Sequence, residues 1–291
     1  MLKETEILYV RGSFQKILSM SSCLIDYMKE TGACLISPFP EIFENNFLES
    51  QLFSSSLEYR GLKELNYVRM IDPLSFHSLL RNEEPISITT QKLLSREEIY
   101  KEPVISFSDE EREKSFIFSS RFKDMKPLCF FQPFSLSYLG NVDRTRRSLS
   151  KDFAEKILSI LKKKFTVIQL KTSKQPKLLD CSDEISLDTI SSWRNLFFLS
   201  LSSRFMISVD CILNPLSVAL NKKSIVLWSS TSEQILGHPS SFNIRECEKE
   251  SIHASVAESF PEEKIVFLNE RENYFSEKTL DEIENYVNKN T

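Results

Sequence analysis

Glycine is scarce: 5 residues in 291, against a usual share of roughly 7%. No GxGxxG and no Walker-type run occurs, which excludes a site built on a glycine-rich phosphate loop. Whatever anion this chain binds must be held by helix ends and side chains. An excess of positive charge is also missing. With 37 Lys+Arg against 41 Asp+Glu the net charge is −4, which argues against general nucleic-acid binding. No apolar run approaches the roughly 18 residues of a membrane span. The leading MLKETEILYV carries acidic residues before a short apolar stretch and does not read as a secretory signal. The six cysteines (Cys23, Cys34, Cys129, Cys181, Cys211, Cys247) include no CxxC pair. That spacing points to reduced thiols in a cytoplasmic protein and away from a zinc site.

What is present is an ordinary globular composition, 41% hydrophobic and 27% charged, in a chain long enough for two domains. Apolar and helical periods alternate along it. Glu6 to Val10 reads as a strand, Phe14 to Met28 as one helix stopped by Gly32, and Ala33 to Ile36 as a second strand. Beyond these, Glu41 to Glu49 reads as a helical turn, Tyr67 to Ile71 as a strand and Leu74 to Leu80 as a helix. Ile86 to Thr90 (ISITT) has the β-branched content of a strand. The charge run Ser108 to Lys114 reads as a solvated helix.

A second alternating series starts at Leu128 with the strand LCFFQ. It continues through a helix at 150–164, a strand at Phe165 to Leu170, a helix at Thr189 to Ser202, and a strand at Phe205 to Val209. Lys264 to Leu268 reads as a last strand. Thr279 to Glu282 has capping-box spacing for a terminal helix with Leu280, Ile283 and Val287 inward. Repeated strand–helix alternation implies parallel sheets with right-handed crossovers. The expectation is α/β, two Rossmann-like domains facing a cleft, divided near 122–127: residues 1–125, residues 126–275, and a terminal helix at 276–291 packing back on the first domain.

Residues 205–239 carry the densest signal. After the strand at 205–209, Asp210 and Cys211 fall where the strand runs out. Asn214 reads as an N-cap with Pro215 at the first helical position, and Asn221 as a left-handed stop. Ser224 to Trp228 is another strand. Ser230-Thr231-Ser232-Glu233 has capping-box spacing, so two helix N-termini are expected at one sheet edge, where they favour an anion.

Residues Val209 to Lys222 and Ile225 to Ser232 follow the order of a family pattern: a strand ending V-D-[ST]-G, a helix, an apolar strand and a Thr/Ser turn. Upstream, Phe130-Phe131-Gln132-Pro133-Phe134-Ser135 and Arg146 to Glu155 match two further segments, and Arg11 to Lys29 fits the first more loosely. On these residues the chain resembles the ADP-heptose:lipopolysaccharide heptosyltransferases, glycosyltransferases of GT-B fold. The resemblance implies a cytoplasmic enzyme of lipopolysaccharide or glycan biosynthesis. It would move a sugar from a nucleotide-diphosphate sugar to a glycan or glycolipid acceptor, inverting, with no metal and no cofactor beyond the donor. Contact with a membrane would be peripheral, through the acceptor.

The same comparison implies donor-binding roles for Ser135, Arg146, Asp210, Cys211, Thr231, Ser232 and Glu233. Each has a plainer structural reading. Asp210 also suits a turn or cap, Arg146 with Arg144 and Arg147 a solvated loop, Cys211 core packing, and Ser230 to Glu233 a simple helix cap. His238 reads as a turn residue or as the border of the cleft.

Three departures bear on catalysis. The family's base is the aspartate of an N-terminal G-D-x-L segment, and Lys16 falls there; an ordinary lysine, with pKa near 10.4, is protonated at neutral pH. A family glycine is replaced by Ile212, and a helix histidine by Pro215. The catalytic residue is therefore unassigned. The rival reading is a degenerate, non-catalytic relative that binds a glycan or a protein. A doubly wound sugar-nucleotide epimerase is a third reading, disfavoured by the absent glycine loops.

Overall fold

The computed structural model describes residues 6–47, 51–54, 68–72, 84–135, 138–139, 142–143, 147–229, 231–245 and 275–291. The helix expected at Leu74 to Leu80 and the strand at Lys264 to Leu268 lie outside these residues, as do Arg144, Arg146 and Ser230. The chain divides into two compact units, Met1–Asp109 with Gln234–Leu236, and Glu110–Glu233 with Gly237–Thr291. Each is a parallel α/β unit.

The first unit is a four-stranded parallel sheet of β1 (Ile7–Val10), β2 (Cys34–Ser37), β3 (Leu52–Ser54) and β4 (Val68–Ile71), in the order β3-β2-β1-β4. The single helix expected after β1 is two, α1 (Phe14–Ser19) and α2 (Ser21–Thr31), broken at Met20. The break falls in a serine-rich step whose hydroxyls compete for backbone partners. Ser21 Oγ donates to the Val104 carbonyl (3.0 Å) and accepts from the Val104 N–H (2.9 Å). Gly32 ends α2 in the left-handed region at φ 73°, its N–H bonded to the Met28 carbonyl. That conformation favours glycine.

ISITT is not a strand. It opens α3 (Ile86–Leu93), whose Ile86, Ser87, Thr89, Thr90 and Gln91 are buried in a helix packed against α1 and α2. Thr90 Oγ1 donates to the Ile86 carbonyl one turn back (2.8 Å). Burial against two helices overrides the β-branched preference of the segment.

The second unit begins with α4 (Asp109–Ser120), the solvated helix read from the charge run. It is tied down by an ion pair of Glu111 with Arg194: the Arg194 Nε–Glu111 Oε1 bond is 2.6 Å and a second bond joins Nη2 to Oε2. A six-stranded parallel sheet follows: β5 (Leu128–Gln132), β8 (Thr166–Lys171), β9 (Asp183–Ser186), β10 (Phe205–Val209), β11 (Lys223–Trp228) and β12 (Phe242–Arg245). A small antiparallel hairpin, β6 (Tyr138–Leu139) and β7 (Val142–Asp143), lies between β5 and the next helix. The sheet order is β12-β11-β10-β5-β8-β9. The chain thus builds outward from β5 to β9, returns to β10 beside β5, and builds outward the other way.

Every residue of β5 and of β10 is buried, as two-sided parallel strands require. The helices are α5 (Lys151–Lys162), α6 (Trp193–Leu201), α7 (Leu213–Ala219), α8 (Glu233–Leu236) and α9 (Glu277–Asn290). Ser150 caps α5 by accepting from the Phe153 N–H. The helix read at Thr189 to Ser202 starts only at Trp193, after a 3-10 turn.

The terminal helix α9 starts after Ser276, not at the Thr279 box. Its described contacts include several within the second unit. Lys163 Nζ pairs with Glu284 (2.6 Å) and Lys156 with Glu277. Tyr286 stacks on Phe242 with ring centroids 4.4 Å apart. Among the described residues no helix is long and apolar enough to cross a membrane.

Candidate functional site

In open α/β sheets ligands bind beyond the carboxyl ends of the strands, where the strand order reverses. In the second unit that point lies between β5 and β10. β5 ends at Gln132 and runs into Pro133-Phe134-Ser135; β10 ends at Val209 and runs into Asp210-Cys211; β11 delivers Thr231 and Ser232 to the same edge.

A buried polar cluster occupies this edge. Asp210 is fully buried. Its Oδ2 accepts from Thr231 Oγ1 at 2.5 Å and faces Arg147 Nη1 at 3.5 Å. Cys211 Sγ donates to Gln132 Oε1 at 2.9 Å, so β5 and β10 are cross-linked at the reversal itself. Burial pushes the Cys211 thiol up to about 12. It is a neutral donor, not a thiolate nucleophile. Gln132 Nε2 is buried with no hydrogen-bond partner among the described residues. Ser135 is buried, and its N–H donates to Ser148 Oγ at 2.9 Å.

Two glutamines that sequence reasoning missed hold this edge. Gln132 anchors Cys211. Gln175 Nε2 donates to the Ser135 carbonyl (2.5 Å) while its Oε1 accepts from the Thr172 N–H (2.9 Å). Nothing in the sequence marks either glutamine. Arg147 was legible in principle: the segment 147–150 alternates buried and half-buried, so Arg147 shares the inward side of Leu149. The Leu149 N–H bonds the Pro133 carbonyl at 3.0 Å. Sequence reasoning favoured Arg146, which lies outside the described residues.

The helix starts differ from expectation. α7 begins at Leu213 after Ile212, and Asn214 and Pro215 sit inside its first turn, where a missing N–H still costs nothing. Ile212 has φ −56°, so no backbone strain follows from the loss of the family glycine. α8 is capped at Ser232, with no side-chain cap bond, and Glu233 is its first residue. Asn221, at φ 52°, does adopt the left-handed conformation.

Gly237 closes α8 by close approach, not by unusual φ. A Cβ built there would stand 2.3 Å from the Glu233 carbonyl oxygen. Gly237→Ala is expected to destabilise the second unit by about 1–3 kcal/mol, read as a lowered urea midpoint with unchanged slope.

His238, next along, is buried, and burial alone lowers its pKa to about 4. It is a neutral core histidine. Its carbonyl accepts from Asn243 Nδ2 (3.0 Å), and Asn243 Oδ1 in turn accepts from Trp228 Nε1 (2.8 Å).

Lys16 belongs to the first unit. It lies in α1, directly after the β1 turn, and is buried. Its Cβ lies 3.4 Å from where a Cβ on Gly12 would stand, and Gly12 has φ 141°. Among the described residues no three His, Cys, Asp or Glu side chains are placed to hold a metal ion.

The fold is that of mixed α/β glycosyltransferases with two parallel sheets. A structure described as a family 9 glycosyl transferase from Veillonella parvula matches with TM-score 0.66 at 10% identity, over 99% of this chain and 98% of that one. The Escherichia coli ADP-heptose lipopolysaccharide heptosyltransferase II matches with TM-score 0.59 at 12% identity, over 98% and 99%. No protein-family model and no curated protein matches the sequence.

Proposed function

We propose that this chain is a heptosyltransferase-like glycosyltransferase. It would transfer a sugar from a nucleotide-diphosphate sugar to a glycan or glycolipid acceptor, inverting and without a metal, in the cytoplasm. The observation that carries the reading is the Asp210–Arg147–Thr231 cluster at the strand-order reversal. Shared fold with solved glycosyltransferases supports it.

The chemistry assigns different work to the candidate residues. A buried carboxylate repels a diphosphate, so Asp210 is an orienting group. It holds Arg147, whose planar guanidinium matches the geometry of a phosphate. Arg147 and the backbone N–H groups near Ser135, Thr231 and Ser232 are the groups that would neutralise the leaving diphosphate, a preorganised electrostatic contribution. Arg146 and Glu233 remain donor-side candidates. Cys211, protonated and bonded to Gln132, packs behind the site.

Calorimetric titration of the full chain with ADP- and UDP-sugars tests this. Saturable binding, competed by the free nucleotide and weakened about tenfold or more in Arg147→Ala, is the expected result. Absence of binding at millimolar donor overturns the donor-site assignment.

A second reading rests on Lys16. A buried lysine at the family's base position favours a non-catalytic relative that keeps the fold for binding a glycan or a protein. Donor binding without any release of nucleoside diphosphate, across a panel of glycan and glycolipid acceptors, would select it.

A further inference from the structure

One buried amide at the strand-order reversal is only half used. Gln132 ends β5 and is fully buried. It stands beside Ser208 in the register of β5 and β10. Its Oε1 accepts from Cys211 Sγ at 2.9 Å. Its Nε2 has no hydrogen-bond partner among the described residues. A buried amide donor left unmade is costly, and native folds keep few such groups without a role.

The thiol sets which way the amide faces. Burial holds Cys211 protonated, its pKa pushed up to about 12 although the Leu213 N–H and the Ser208 hydroxyl bond the sulfur. A sulfur that already accepts from both has its S–H to offer Gln132, and an S–H needs the amide oxygen. Turning the amide over would set Nε2 against the thiol and leave Oε1 without a donor. Oε1 therefore faces back to Cys211, and the two N–H groups face away from it.

The side chain also reaches forward. Cys211 lies two residues beyond the end of β10, so an amide bonded to it projects past the carboxyl edge of the sheet, where doubly wound folds take their ligands. Arg147 and Asp210 both act on the same thiol, and their side chains meet at 3.5 Å. A guanidinium and an amide are thus gathered round one sulfur, both presenting N–H groups. Such a pair suits an acceptor with no proton of its own, a phosphate oxygen. A sugar hydroxyl brings a proton as well, and Oε1 is turned away from it.

On the donor-site reading of this edge, we propose that Gln132 Nε2 donates a hydrogen bond to the diphosphate of the bound nucleotide, beside Arg147. The amide is sealed from solvent, so the turns at this edge must part to admit the phosphates.

Calorimetry of the full chain tests it, with ADP, UDP, ADP-glucose and UDP-glucose as probes. Gln132→Met keeps the length of the side chain and removes both N–H groups. It is expected to melt about as high as the wild type, since the unmade donor goes with the amide and a thiol is a weak donor to lose. It should nonetheless bind ADP or UDP about tenfold or more weakly, the loss typical of a hydrogen bond to a charged group. The nucleotide sugar should weaken by the same factor, because the contact is with the part that the two ligands share. Gln132→Glu keeps an acceptor for the thiol and should lose at least as much; it decides the matter if the methionine variant does not fold. Unchanged affinity for ADP and UDP in a folded variant overturns the inference and leaves the donor site in place. So does a loss confined to the nucleotide sugars, which puts the amide against the sugar. A wild type that binds none of these probes overturns the donor-site reading and this inference together.

Discussion

Asp210→Ala is expected to cost the second unit about 3–5 kcal/mol, because removing one partner of a buried ion pair strands the other charge. Asp210 is fully buried and Arg147 nearly so, which leaves the guanidinium little access to water. Thr231 loses its acceptor in the same step. Asp210→Asn keeps an acceptor for Thr231 and should cost less, yet still removes the negative charge beside Arg147. Replacing the pair together, Arg147→Met with Asp210→Leu, should recover most of the stability, as apolar substitutes for buried ion pairs do. That double variant should still bind the nucleotide sugar about tenfold or more weakly than the wild type. Stability and donor binding would then separate: the carboxylate matters to folding through the arginine and through Thr231, and the arginine matters to the ligand. Urea unfolding followed on the second unit's transition reads the first property, and calorimetry the second. A loss below about 1 kcal/mol for Asp210→Ala, the range of an exposed pair, would mean that the cluster is not a buried electrostatic anchor.

Lowering the pH from 6.5 to 4 is expected to remove up to about 3 kcal/mol of stability through His238 alone. In the unfolded chain an imidazole takes its proton near 6.5. In the folded chain, desolvation delays protonation of His238 until about 4. Between these values the unfolded state binds more protons than the native state, so stability rises with pH. The contribution is fully present above 6.5 and is lost as pH falls toward 4. His238→Gln should flatten the stability profile in that interval while leaving its shape above pH 7 unchanged. The comparison is of slopes, since the substitution also shifts the baseline through packing. Parallel profiles for wild type and His238→Gln would mean that the ring takes up its proton in the fold at the same pH as in the unfolded chain, near 6.5.

The strongly patterned elements were legible in sequence. β5, β8, β10 and β11 are buried on both faces along nearly all of their length, and such runs announce themselves. The two outer strands of the larger sheet did not: Asp183–Ser186 and Phe242–Arg245 are short and polar, as edge strands tend to be. ISITT was misread because four β-branched residues carry a strand's local preference, while its helix is decided by α1 and α2, which lie far away in sequence. The break at Met20 depended on Val104, more than eighty residues on.

At the site, Asp210 and Thr231 were legible from where strands end. Their mutual bond was not, because it joins two crossovers of the sheet. Arg147 was passed over for Arg146 because a family comparison aligns residues by order, whereas the side of an extended segment is set by its alternation. Gln132 and Gln175 were illegible for a different reason. A buried amide that ties loops together has no spacing rule.

The terminal helix bears on how the chain is made. Phe242, Phe205 and the α5 helix present faces that Tyr286, Leu280, Ile283 and Val287 cover. During synthesis these faces must wait, uncovered, until residue 290 has left the ribosome. Among the described residues the strands of the first unit's sheet all lie before residue 72. The second unit therefore closes last, and nascent chains arrested before residue 277 should show it cleaved by protease while the first sheet survives. For that interval a large apolar surface is the concern of chaperones rather than of substrate.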